Sequence, residues 1–323
     1  VKGYAFIAAQ WSNGWCRGRN ETGVQGLEDF FAAQKGKIDP SLPFFYFQHP
    51  HPKNTCYGSW AWGHDSGVST KILSNYSNAV AFSGHSHYTL TDERSIWQGA
   101  FTSLGTSSLR YTGITAESLE RGFENSRSPN PSKYDPYKVM RGFSTYDGRQ
   151  GILVSVYDDH ISFTRRDFMF DASLGDDWVM PLPAAESKPF AFAVRAKKVS
   201  VPEFAANAKV SVRKSKAKNR GYNRGKVKIA PEEKDIYVIT FPPANAVPGA
   251  KALDYEIAAV PKSGGKRVVK YVLPEDFYLP ATDKRTRQNV KCCIATDQLP
   301  PEGTFYFEVC ARNSFGKKSK AIS

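Results

Sequence analysis

Four of the six histidines fall in two short clusters, His49-Pro50-His51-Pro52 and Gly84-His85-Ser86-His87. Neutral imidazole is a common ligand for first-row divalent metals. In an extended segment His85 and His87 leave the same face, so their spacing allows one ion or two adjacent ions to be gripped there. Gly84 permits a sharp turn just before them. Pro50 ends any strand ladder behind His49 and fixes the chain's exit. The alternative is a set of ordinary loop histidines making hydrogen bonds. A small zinc site from His49, His51 and Cys56 ranks last, because structural zinc sites prefer four closed ligands, often several of them cysteine.

Each cluster closes an apolar run, Pro43-Phe44-Phe45-Tyr46-Phe47 for the first and Ala79-Val80-Ala81-Phe82 for the second. Strand ends in an α/β sheet are where ligands collect. Helical spacing of apolar residues predicts a helix over Gly26–Ala33, and a second is expected over Thr70–Tyr76. The order is βαβα, as in one half of an α/β sandwich. Ile96–Leu104 and the segments flanking Asp158-Asp159 read as antiparallel strands with a turn at the two aspartates. Gly122–Tyr137 is polar and rich in Ser, Asn and Pro, which predicts a long loop.

The phrases Phe47-Gln48-His49-Pro50-His51-Pro52 and Phe82-Ser83-Gly84-His85-Ser86-His87 resemble the last two motifs of the calcineurin-like metallophosphoesterases. Ser69–Tyr76 is similar to the helix between those motifs, Gly151–Phe168 to the family's closing β-hairpin, and Asp177–Pro183 to an exit segment of some bacterial members. The resemblance covers about the first 183 residues. It implies an αββα sandwich and a two-metal centre of Mn, Fe, Zn or Ni that hydrolyses a phosphomonoester or phosphodiester. Carried over by motif, His49 and His85 ligate one ion and His87 the other.

The family's earlier Asp-x-His, Gly-Asp-x-x-Asp and Gly-Asn-His-Asp/Glu motifs do not occur here, and Val1–Ala9 resembles the strand that follows them. The expectation is a catalytic domain lacking its amino-terminal half, with another polypeptide supplying the rest or with a degenerate centre. Three histidines without a carboxylate make a poor site for two ions. His51 takes a position the family usually fills with proline and is read as a substrate contact or a surface histidine. His64 and Asn54 are further substrate-side candidates. Asp65 or Ser66 is expected to cap the following helix.

Residues 1–183 are assigned to this domain and residues 184–323 to an all-β domain, with the linker between Pro183 and Pro189. Phe305-x-Phe307-x-Val309-x-Ala311 alternates as a half-buried strand does, and Leu253-x-Tyr255-x-Ile257 alternates too. Phe241-Pro242-Pro243-Ala244, Leu299–Phe305 and Val309–Gly316 resemble a fibronectin type III domain, an immunoglobulin-like sandwich. Phe241 stands at its core tryptophan position and Phe305 at its corner tyrosine position.

The net charge of +13 is uneven: 17 Lys+Arg against 18 Asp+Glu through residue 183, then 27 against 13. The densest stretch, Arg213–Lys228, suits a polyanion such as nucleic acid or a glycan, or else an edge strand where lysine blocks unwanted pairing. The competing function is therefore a non-catalytic protein that binds through its basic sandwich. Five cysteines without a Cys-x-x-Cys pair argue against a zinc ribbon. A Cys16–Cys56 bridge fits an exported protein, periplasmic, cell-surface or secreted, and free thiols fit equally. No apolar run is long enough for a membrane span.

Overall fold

The computed structural model describes all residues except 1, 10–20, 58–64, 113–147, 220–221, 225–226, 249, 273, 275–277, 281–282 and 300–303. The protein is mixed α/β, with several sheets and few helices. Its described residues divide into two compact units, the first ending at Val199 and the second beginning its main run at Ser200.

The first unit opens with β1 (Phe6–Ala8), α1 (Glu21–Ala33), β2 (Phe44–Gln48), α2 (Val68–Leu73) and β3 (Ala79–Ser83). Then come β4 (Ile96–Gln98) and β5 (Thr102–Gly105), an antiparallel pair in the stretch expected to hold antiparallel strand. They form one sheet in the order β1-β2-β3-β5-β4. The first four run parallel and β4 closes the edge antiparallel. β2 and β3 are apolar on both faces because both faces are covered. Phe44, Tyr46, Ala79 and Ala81 pack against Leu27 and Phe31 of α1 and Ile72 and Leu73 of α2. Phe45, Val80, Phe82 and Leu104 face the other way, onto a second sheet.

That second sheet comprises β6 (Gln150–Val156), β7 (His160–Asp167), β8 (Ala172–Ser173) and β9 (Trp178–Pro181), all antiparallel. β7 points Ile161, Phe163, Arg165 and Asp167 inward and leaves polar residues between them half-exposed. Ile161, Phe163, Trp178 and Met180 complete the inter-sheet core. Each such side chain contributes about 1.5–3 kcal/mol on burial.

Arg165 has a side chain only 2% exposed and reaches the Glu93 carboxylate at 2.8 Å. Trp178 Nε1 donates to the same carboxylate at 3.1 Å. Arg195 of α3 (Phe192–Lys198) also pairs with it. Ala184 and Phe190 lie in the same core as Phe82. The first unit therefore runs to Val199, beyond the boundary expected after Pro183. The prolines of this stretch mark surface turns rather than a linker between domains. Residues 122–137, expected as a long loop, lie outside the described residues.

The second unit contains β10 (Ser211–Asn219), β11 (Tyr222–Arg224), β12 (Val227–Ile229), β13 (Glu232–Phe241), β14 (Asp254–Pro261), β15 (Val268–Val272), β16 (Val290–Ala295) and β17 (Phe305–Arg312). Two antiparallel three-stranded sheets, β10-β13-β16 and β15-β14-β17, share one core, and β11 pairs with β12. The expected alternation holds: Phe307, Val309 and Ala311 are buried, with Phe305 packed against the same core. Phe241 is 1% exposed, with its ring 5.0 Å from that of Tyr255. The Tyr255 hydroxyl accepts from the Ala244 amide at 3.1 Å. Arg312 makes a bidentate buried pair with Asp254 at 2.7 and 2.6 Å and lies 3.7 Å over the Tyr271 ring.

Candidate metal centre

β2 and β3 are parallel neighbours with Gln48 opposite Ser83, so their carboxyl ends deliver the two histidine clusters side by side. The Gly84 amide donates to the His49 carbonyl at 3.1 Å and continues the ladder one step. Beyond it, His49 Nε2 and His85 Nδ1 lie 2.8 Å apart, with their rings nearly perpendicular at 76°. The sequence expectation that these two histidines meet is realised in the geometry.

The turn itself differs from the extended segment expected. His85 and His87 both adopt left-handed backbone conformations, with φ of 58° and 55°. The left-handed turn thus falls on the histidines and not on Gly84. Each such residue costs about 1–3 kcal/mol, and strain of this kind concentrates at functional sites. The two side chains also part company. His85 turns to His49, while His87 lies 4.3 Å from the Tyr111 ring. Among the described residues, His87 Nδ1 is buried without a hydrogen-bond partner. Burial, followed by the nearby His49, lowers the His87 pKa.

His51 is not the surface histidine that is one of its two expected readings. It is 1% exposed. Its Nδ1 lies 2.6 Å from Ser83 Oγ and its Nε2 2.6 Å from Ser86 Oγ. Burial, then the neighbouring His85 and His49, pushes its pKa down to about 3. The sequence pattern concealed this because Pro50 and Pro52 suggest an exposed turn, whereas the ring folds back beneath the β3 exit.

His64 lies outside the described residues. Asp65 does not cap α2; Gly67 occupies the cap position, with φ of 99° and no side-chain cap. Asp65 Oδ2 instead accepts from the Lys53 amide at 2.7 Å. Burial raises the Asp65 pKa to about 6, against the hydrogen bonds from the Lys53 and Gly67 backbones. Asn54 takes a left-handed conformation in the same loop, with φ of 61°. Cys56 is a free, fully buried thiol that donates to the Ser103 carbonyl at 3.1 Å, and burial pushes its pKa up to about 12. Among the described residues Cys56 forms no disulfide, and Cys16, the partner expected for it, lies outside them. With His51 and Cys56 both committed elsewhere, they form no zinc site with His49.

The nitrogen donors fit the imidazole share of a divalent-metal site. Two facing ring nitrogens are an arrangement that one proton or one ion bridges, and the orphaned His87 Nδ1 adds a third donor nearby in the chain. Among the described residues no three His, Cys, Asp or Glu side chains converge on one point.

Four residues of this neighbourhood escaped the sequence reading: Ser83, Ser86, Gly105 and Tyr111. A Cβ on Gly105, at the end of β5, would stand 2.5 Å from the Tyr57 hydroxyl and 3.0 Å from His51. Ser86 carries a weak signal, since its hydroxyl stands between two ligand-type histidines, and Ser83 a weaker one. Tyr111 carries none.

No family model, curated protein or solved structure matches the chain. Among the described residues no helix is long and apolar enough to cross a membrane.

Proposed function

We propose that the first unit is the carboxy-terminal part of a calcineurin-like metallophosphoesterase domain and that the second is a fibronectin type III-like sandwich. The observation that carries this reading is the pairing of His49 and His85 at the carboxyl ends of adjacent parallel strands. Its support includes the helix–sheet–sheet layering of the first unit, consistent with part of an αββα sandwich. His49 and His85 would hold one ion and His87 a second. When bound, such ions generate hydroxide and polarise a phosphoryl oxygen of a phosphomonoester or phosphodiester. The chain's own residues orient the imidazoles and exclude water beneath them. Carboxylate ligands come from outside the described residues.

The test is elemental analysis of the purified chain after exposure to Mn, Fe, Zn and Ni, together with hydrolysis of p-nitrophenyl phosphate and its diester. Bound metal, with hydrolysis abolished by His85→Ala, is the expected result. A metal-free chain, or hydrolysis untouched by His85→Ala, overturns the reading.

A second reading is a binding protein that acts through the basic sandwich. Arg213, Lys214 and Lys216 stand exposed along β10, an edge strand of its sheet. Lys216 pairs with Glu233 at 3.7 Å. This reading predicts salt-sensitive retention on heparin.

A further inference from the structure

We infer that His51 is a positioning residue, which fixes the His85-Ser86-His87 turn from below through a directional hydrogen-bond chain. Ser83 Oγ donates to the Leu104 carbonyl at 3.1 Å. Its one proton is thereby used, so it accepts from His51 Nδ1–H at 2.6 Å. The opposite nitrogen, Nε2, is then bare and accepts from the Ser86 hydroxyl at 2.6 Å. Ser86 Oγ in turn accepts from the Tyr88 amide at 3.3 Å.

The ring has little room to leave this position. Tyr57 meets it edge-on at 5.2 Å and Tyr88 lies roughly parallel to it at 6.3 Å. Gly105 approaches closely enough that an added Cβ would reach His51 Cε1 at 3.0 Å. The chain therefore links the exits of β2, β3 and β5. Ser86 is the residue between two left-handed histidines. A turn with two disfavoured backbone conformations persists only where its surroundings hold it. The hydroxyl anchored on His51 is one such hold, beside the Ser86 amide's bond to the Gly84 carbonyl at 2.7 Å. Groups one layer behind metal-binding histidines orient them and tune their affinity.

The effect on metal binding rests on the metallophosphoesterase reading; the positioning itself does not. The test uses the full chain with isotope-labelled histidine and a long-range proton–nitrogen spectrum of the imidazoles. His51 is expected as the Nδ1–H tautomer with unprotonated Nε2. Ser86→Ala removes a single half-buried oxygen and keeps the fold; it should move the His85 and His87 ring signals and leave those of His160 in place. Manganese affinity should fall about ten- to a hundredfold in the same variant. His51→Gln, which keeps polar atoms in the ring's place, should restore neither signal position nor affinity fully.

An Nε2–H tautomer, or unmoved His85 and His87 signals, overturns the inference. Wild-type and Ser86→Ala chains that bind manganese equally tightly also overturn it, with the phosphoesterase reading intact. A wild-type chain that binds no manganese overturns that reading instead, and the spectrum still decides the positioning.

Discussion

His49 Nε2 and His85 Nδ1 stand 2.8 Å apart although 36 residues of chain separate them. Two parallel strands in fixed register bring them together, and a one-residue slip would separate them. Two ligands of one ion act as a unit, so their losses are not additive. His49→Ala and His85→Ala should each weaken manganese binding, and the double variant should lose little more than either. The coupling in a calorimetric double-mutant cycle is expected at about 1–3 kcal/mol. Strictly additive losses would mean that the two rings do not share an ion.

Gly105 has no space for a side chain, because the Tyr57 hydroxyl and the His51 ring already occupy it. Gly105→Ala should cost about 1–3 kcal/mol in denaturant unfolding through overpacking. It should also disturb the ring signals of His51. A variant as stable as the wild type would show that Tyr57 yields freely.

Much of the frame was legible in the chain. β2 and β3 are short apolar runs bounded by turn residues, and the β17 alternation marks one buried face. Such patterns report local periodicity, which is why they survive in the structure. The site was legible only in part. That His49 and His85 meet follows from two strands ending in histidine. That His51 turns inward depends on Ser83, Leu104 and Gly105, which are distant from it in sequence and ordinary in type. The end of the first unit was misplaced for a related reason. Proline density near Pro183 signals a turn, whereas the contacts of Phe190 and Arg195 with the first unit have no local signature.

Glu93 gathers Arg165, Arg195 and the Trp178 indole around one carboxylate. Removing one partner of a buried pair leaves a charge uncompensated, so Glu93→Ala should destabilise the protein by about 3 kcal/mol. Glu28 pairs with Lys71 at the surface, where the side chains are 38% and 77% exposed. Glu28→Ala should therefore change stability by less than about 0.5 kcal/mol. Equal effects of the two substitutions would show that Arg165 is satisfied by the Leu90 and Asp176 carbonyls alone.

Arg213 and Lys214 test the second functional reading. Reversing both charges, Arg213→Glu with Lys214→Glu, should lower the salt concentration that elutes the chain from heparin. Each lost phosphate-like contact should reduce the slope of log affinity against log salt by about one. An unchanged elution point would assign these side chains to protecting the sheet edge alone.

Asp65 supplies a dependence on pH whose sign follows from its burial. Its folded pKa is raised from 3.8 to about 6. Between those values the folded chain binds more protons at this site than the unfolded chain does. Stability contributed by this residue therefore falls as pH rises through that window, and stays low above it. The full effect is on the order of 3 kcal/mol for a shift of about two units. Asp65→Asn keeps the shape and an oxygen for the Lys53 amide but carries no ionisation. Its stability advantage over the wild type in urea should be small near pH 4, grow to about pH 6 and remain constant beyond. All other titrating groups are common to both proteins and cancel in the difference. A stability difference independent of pH would mean that the Asp65 carboxylate reaches water in solution and that its burial beside Lys53 does not persist.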